Sequence, residues 1–202
     1  MKNVLTALCV AAVLAAAGCS STPPVRLQPD GPIELGQGEV PLLRVNVSFE
    51  ETAWIGRPGW GGLSQRNPAH SFARLVSGAA EQTAAMNVPP PREVEKQISA
   101  GDGEFSLNPD DEQLQRYLSI LQPDTYLTAD LRAWQENYYT GLFQDSTVRF
   151  TLTCHRSGQS EPLWTATVNR EEDYVSSREL ALSSLREVFE GIIARPKKEA
   201  PK

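Results

Sequence analysis

Histidine is nearly missing from this chain: two residues, His70 and His155, in a length of 202. So few imidazoles leave little material for metal or acid–base chemistry, and no His-x-x-x-His, Cys-x-x-Cys or acidic calcium-loop pattern occurs. Cysteine is as scarce, at three. Cys9 and Cys19 belong to an N-terminal apolar segment and its end, so Cys154 alone serves the body of the protein and an internal disulfide there is excluded. No Gly-x-Ser-x-Gly elbow is present, and the glycine-rich run Gly56-Arg-Pro-Gly59-Trp-Gly-Gly62 lacks the Lys-Ser/Thr of a phosphate loop. A basic excess is missing too. Lys and Arg number 19 against 25 Asp and Glu, a formal net charge of −6, which argues against nucleic acid as a partner. No apolar run reaches the roughly 20 residues that a membrane-spanning helix needs.

The longest apolar run has another meaning. Lys2 precedes Val4–Ala17, a stretch of Ala, Leu and Val broken by Thr6 and Cys9, and Ala16-Ala17-Gly18 leads into Cys19. That is the layout of a secretory signal, with small residues before a cysteine as lipoprotein signal peptidase reads them. We expect cleavage before Cys19, acylation of Cys19, and a periplasmic domain tied to a membrane by that lipid. The plainer alternative is an ordinary signal cut near Ala17, with Cys19 a spare thiol. Residues 1–18 are then the signal peptide, and their removal takes only the charge of Lys2, leaving the rest more acidic.

Pro23, Pro24, Pro29, Pro32 and Pro41 punctuate the next stretch, so 19–41 is expected to be a flexible tether. The pattern changes at Leu42. Leu43, Val45, Val47 and Phe49 alternate with Arg44, Asn46 and Ser48, as in a half-buried strand. After a loop, Glu50–Arg66, Asn67-Pro68 gives a helix cap and first position, and Phe72, Leu75, Val76, Ala79, Thr83 and Met86 share a face of a helix expected over Pro68–Met86. A short helix over Arg92–Ser99 ends at Gly101-Asp-Gly103. Asn108-Pro109 opens another with a stripe of Leu114, Tyr117, Leu118 and Leu121, stopped by Pro123.

Three alternating runs follow: Leu127–Leu131, Val148–Cys154 and Trp164–Val168. His155–Pro162, with Gly158 at its centre, makes the last two a hairpin. Cys154 falls on the apolar side, where a buried inert thiol is expected. Ser176 and Glu179 form a capping box before a closing helix with Leu182, Leu185, Val188, Phe189, Ile192 and Ile193 on one face. The expected fold is α/β (α+β): one two-layer domain over 42–194, a small mixed sheet with C-terminal antiparallel strands and helices packed on it. Residues 195–202 are expected to be a disordered basic tail.

The block Pro123–Trp134, then Val148-Arg-Phe-Thr-Leu152 and Pro162-Leu-Trp-Thr-Ala166, resembles a group of periplasmic lipoproteins that includes PelC, CsgG and a neisserial surface-antigen family, related in fold to the N-terminal domain of TolB. The likeness covers about residues 110–193. It implies a non-enzymatic protein that acts by binding, as an oligomer or beside an envelope partner in export or cell-wall machinery. Unlike the pore-forming members, the chain shows no pair of long alternating membrane hairpins. Ser20 after the lipidated cysteine implies, for a lipoprotein, sorting to the outer membrane. The alternative is a module that grips glycan or peptidoglycan, with polysaccharide as the ligand. No cofactor or metal is expected.

Candidate contact residues are aromatic. Trp54, Arg57 and Trp60 share the Glu50–Arg66 loop, and Trp and Arg are favoured at interface hot spots; folding of both rings over the core as a lid is equally open. Trp134, Tyr138 and Tyr139, with Phe143, form a second group suited to a partner protein or carbohydrate, or to plain edge packing. For His70 and His155 a solvated surface imidazole is the plainer reading, and a hydrolase built on either the poorest. Asp110-Asp111-Glu112 reads as a helix's acidic first turn, not a metal site.

Overall fold

The computed structural model describes residues 24–33, 38–48, 67–101, 103–139 and 143–195, with backbone alone at 137–139 and 143–144. Five strands form one mixed sheet in the order β1-β5-β4-β3-β2, where β1 is Val25–Gln28, β2 Leu42–Val47, β3 Thr125–Tyr139, β4 Phe143–Arg156 and β5 Pro162–Asp173. Among these described strands only β2 and β3 run parallel. Among the described residues four helices accompany them: α1 Pro68–Thr83, α2 Pro91–Ala100, α3 Asp111–Leu121 and α4 Ser177–Ala194. The fold class is α+β, as the alternation of patterns predicts.

Helices α1 and α4 cover one face. Leu127, Ala129 and Leu131 of β3, Phe150, Leu152 and Cys154 of β4, and Trp164, Ala166 and Val168 of β5 point to it, and all are buried with Phe72, Val76, Leu185, Val188 and Phe189 in one cluster. Phe72 is the hub: its ring meets Phe150 edge-on at 4.9 Å and Trp134 at 6.3 Å. A second, smaller cluster gathers Val94 and Ile98 of α2 and Leu114 and Tyr117 of α3 around Leu43. Both leucines that open β2 are buried. They point to opposite sides, as successive residues of a strand do, and the register shift between Leu42 and Arg44 inserts a residue that breaks the alternation beyond them. Leu43 thus serves the second cluster while Val45 serves the first, where simple alternation had placed them together.

Gly103 explains the tight break after α2. A Cβ there would stand 2.7 Å from Ile98 Cγ2 and 3.0 Å from the Ile98 carbonyl oxygen, so no larger residue fits. Tyr117 fixes the same corner, donating to the Glu104 carbonyl at 2.9 Å and accepting from the Ser106 N–H at 2.8 Å.

Four expectations need correction. The stretch 19–41 is not all tether: Val25–Gln28 pairs antiparallel with β5, and Leu27, Ile33 and Val40 are buried. Its alternation is only four residues long and lies among prolines, which hide it. Helix α1 stops at Thr83, not Met86, because Ala84 takes φ 53°, a left-handed cap. The cap of α3 is Asp110, in a box with Gln113, so the helix starts two residues later than Asn108-Pro109 suggests. Finally, Arg195 is not part of a free tail, since its guanidinium donates to the Leu27 and Pro29 carbonyls.

Candidate interaction surface

Strands β3 and β4 run well past the alternating cores that mark them, to Tyr139 and from Phe143, with Tyr139 opposite Phe143 at the far end of the ladder. Strand β5 follows as far as Asp173, opposite Asp145. Polar residues such as Gln135, Glu136, Asp145 and Ser146 fill the extension, and backbone pairing holds it where apolar alternation has lapsed. It is pinned to α4: the Glu136 carboxylate accepts from the Ser177 N–H and hydroxyl, and the Ser146 hydroxyl donates to the Val175 carbonyl at 2.5 Å.

The sheet's other face is the larger feature. Because side chains alternate along a strand, burial of Leu127, Leu152 and Ala166 sends Thr128, Thr153 and Thr165 to the opposite side, where the register lines them up with Gln28 of β1. A second row is Asp130, Thr151, Thr167 and Arg26. Threonine favours strands through its branched Cβ while keeping a hydroxyl, so it builds a sheet that needs no cover. Among the described residues no helix packs over β4, β5 and β1 on this side; α3 packs at the β2 edge, in the cluster that Tyr126 of β3 borders. Asn46 donates to Asp130 at 2.8 Å and Arg149 to Asn169 at 3.0 Å. The result is an ordered array of donors and acceptors, at the roughly 4.8 Å spacing of strands, able to engage a protein or a polymer by hydrogen bonds.

At the β2 edge Arg44 binds Asp111 of α3 at 2.7 Å. His155 lies close by but is not solvated as expected: it is half-buried, stacks on Tyr126 with ring centroids 5.0 Å apart, and has Nε2 2.9 Å from Thr128 Oγ1. Burial, and then the Arg44 charge, lowers its pKa below the ordinary 6.5. Burial also raises the Tyr126 phenol, against the pull of Arg44. Cys154 is buried as expected, its thiol pushed up to about 12 chiefly by burial. Among the described residues no group of His, Cys, Asp and Glu is arranged to hold a metal, and no helix is long and apolar enough to cross a membrane.

Of the residues singled out from sequence, Trp134 is half-buried against Phe72, with its indole nitrogen buried and without a partner among the described residues. Tyr138 and Tyr139 fall at the end of β3, opposite Gln144 and Phe143. Cys19, Trp54, Arg57 and Trp60 lie outside the described residues. His70 sits in the first turn of α1, 85 positions from His155 in sequence, and among the described residues the two have separate partners, Asn67 and Thr128. The rows were missed as a surface although their members on β3, β4 and β5 are the polar half of alternating strands; Arg26 and Gln28 fell in the expected tether, and what sequence withheld was the register that aligns them.

No protein-family model matches the chain, and no curated protein matches it. Solved structures do. A point variant of PelC from Paraburkholderia phytofirmans, a dodecamer, superposes with a TM-score of 0.52 and 13% identity over 83% of this chain and 97% of its own. A second PelC dodecamer from the same organism gives 0.52 and 13%, over 81% and 94%. The lipoprotein GNA1162 from Neisseria meningitidis is 17% identical, with a TM-score of 0.49 over 77% and 98%. At 13% identity the PelC likeness is one of fold.

Proposed function

We propose that this chain is an outer-membrane lipoprotein, anchored through Cys19 and facing the periplasm, that acts without catalysis as an oligomeric accessory or assembly subunit of an envelope export or cell-wall machine. The observation that carries this reading is the fold, shared with PelC over 97% of that protein's length, because PelC itself is a dodecamer. The likeness that the sequence pattern bears to CsgG and the TolB N-terminal domain points the same way. The uncovered threonine face and the long β3–β4–β5 extension offer what assembly requires, rigid polar surface on elements held at both ends.

Sedimentation velocity and native mass spectrometry of the full chain in detergent test it. A discrete multimer supports the proposal, and a monomer at every concentration overturns its oligomeric part. The Cys19→Ser variant tests the anchor: it should lose lipid labelling and leave the membrane fraction, since stable anchoring needs more than one acyl chain and an acylated cysteine supplies them. Binding of glycan or peptidoglycan is the competing reading, resting on Trp54, Trp60, Tyr138 and Tyr139. Tryptophan fluorescence titrated with glycans should respond under that reading and stay flat under ours.

A further inference from the structure

Where the first turn of α1 meets the first turn of α2, a cleft of about 360 Å³ opens, lined by His70, Ser71, Arg74, Pro90, Pro91 and Arg92. His70 and Arg74 are one helical turn apart and so share a face, while Phe72 and Val76 of the same helix take the core. Arg92 comes from α2, one residue after the buried Pro91, and the ring of each proline fixes its own φ and narrows the chain's approach. Two arginines and a histidine therefore line one concavity from two helices.

Their charge is uncompensated. Arg44 and Arg170 have Asp111 and Glu187 as partners, whereas Arg74 and Arg92 have no ion pair among the described residues, and no acidic residue among them lines the cleft. This happens in a chain of formal charge −6, so the cleft is a local reversal of sign. The end of α1 is not its source. The Asn67 side chain already accepts from the His70 N–H at 3.2 Å, and the positive charge belongs to side chains. Like charges round one cleft repel, and an anion between them relieves that repulsion.

We infer that this cleft binds a phosphate-type oxyanion, either free or as the phosphate of a lipid headgroup. Arginine offers parallel N–H donors that match phosphate oxygens, the Ser71 hydroxyl adds another donor, and His70 closes the third side. The arginines are exposed, so binding is modest and falls as salt rises.

The test is an NMR titration of the full chain with inorganic phosphate, at ionic strength matched by chloride, read at the His70 ring and the Arg74 and Arg92 side chains. Saturable shifts at all three are expected. Arg74→Gln and Arg92→Gln should each weaken binding about threefold, and the two together about tenfold if they act independently; an unchanged melting curve confirms that the variants are folded. Vesicles of phosphatidylglycerol, compared with phosphatidylcholine, separate the sources, since any other attachment to vesicles is common to both. Perturbation of the same signals by phosphatidylglycerol alone, lost in the double variant, assigns a headgroup; saturation by inorganic phosphate alone assigns a soluble ligand. The inference fails if neither probe saturates, if chloride reproduces the shifts, or if the response survives in the double variant.

Discussion

Glu136 of β3 accepts two hydrogen bonds from Ser177, the first residue of α4, at 2.8 Å from the N–H and 3.0 Å from the hydroxyl. The contact joins segments 41 positions apart and places a carboxylate at a helix N-terminus, where free N–H groups and the helix dipole both favour it. Glu136→Ala should cost about 1–2 kcal/mol, as for a partly exposed charged hydrogen bond, while Glu136→Gln, which keeps an acceptor, should cost less. Urea unfolding of both variants reads the difference. Equal losses would mean that the negative charge, which Gln lacks, and not the acceptor or the side-chain stem that Gln keeps, ties hairpin to helix.

Cys154 should resist thiol reagents in the native protein at neutral pH and react once the chain is unfolded. Cys154 is 2% exposed and the pKa of its thiol is pushed up to about 12 from an ordinary 9.0, so the reactive thiolate is scarce. The sign for stability follows. The folded state holds the proton more tightly, so this contribution is fully present below about pH 9 and is lost as pH rises toward 12. Cys154→Ala should flatten the alkaline slope of a melting-temperature profile. Rapid labelling of the native protein would mean that β4 is one residue out of register.

His155 titrates on the acid side. With its pKa lowered by burial and by Arg44, the folded state prefers the neutral ring, so stability is present above the ordinary pKa of 6.5 and declines as pH falls below it. His155→Gln should remove that acid-side decline. An NMR titration of the ring is the direct check, and a midpoint at or above 6.5 would return His155 to the solvated surface site that its sequence position suggests.

These residues show where sequence was legible. The capping box of Ser176 and Glu179 and the cap at Asn67 are local chemistry written in adjacent positions, and both helices start where they say. The sheet's buried columns were legible for the same reason, since period-two alternation is a local signal. What was hidden depends on partners far away in the chain. Arg44 meets Asp111 across 67 positions, His155 is half-buried only because Tyr126 and Thr128 stand beside it, and β1 exists only because β5 offers it an edge. Left-handed caps at Ala84 and Gln122 carry no glycine to announce them. The candidate surface shares this fate: its threonines were visible, its rows were not.

Trp134 and the loop pair Trp54 and Trp60 should behave oppositely. Trp134 packs edge-on against Phe72, so Trp134→Ala leaves a void beside the core's hub and should cost about 2–3 kcal/mol, below the full range for a buried aromatic because the ring is half-buried. Trp134→Phe keeps a ring and drops an indole N–H that has no partner among the described residues, and should cost under about 1 kcal/mol. The segment that carries Trp54 and Trp60 also holds Gly56, Gly59, Gly61 and Gly62, and glycines lose the most backbone entropy on ordering. A partner's surface can offset that cost, with a buried tryptophan contributing about 2 kcal/mol or more to the contact. Trp54→Ala combined with Trp60→Ala should therefore leave the melting temperature nearly unchanged and weaken self-association. Melting curves and sedimentation velocity on all three variants decide it: a large fall in melting temperature with unchanged sedimentation in the Trp54/Trp60 variant would make those rings a lid on the core and remove them from the interface.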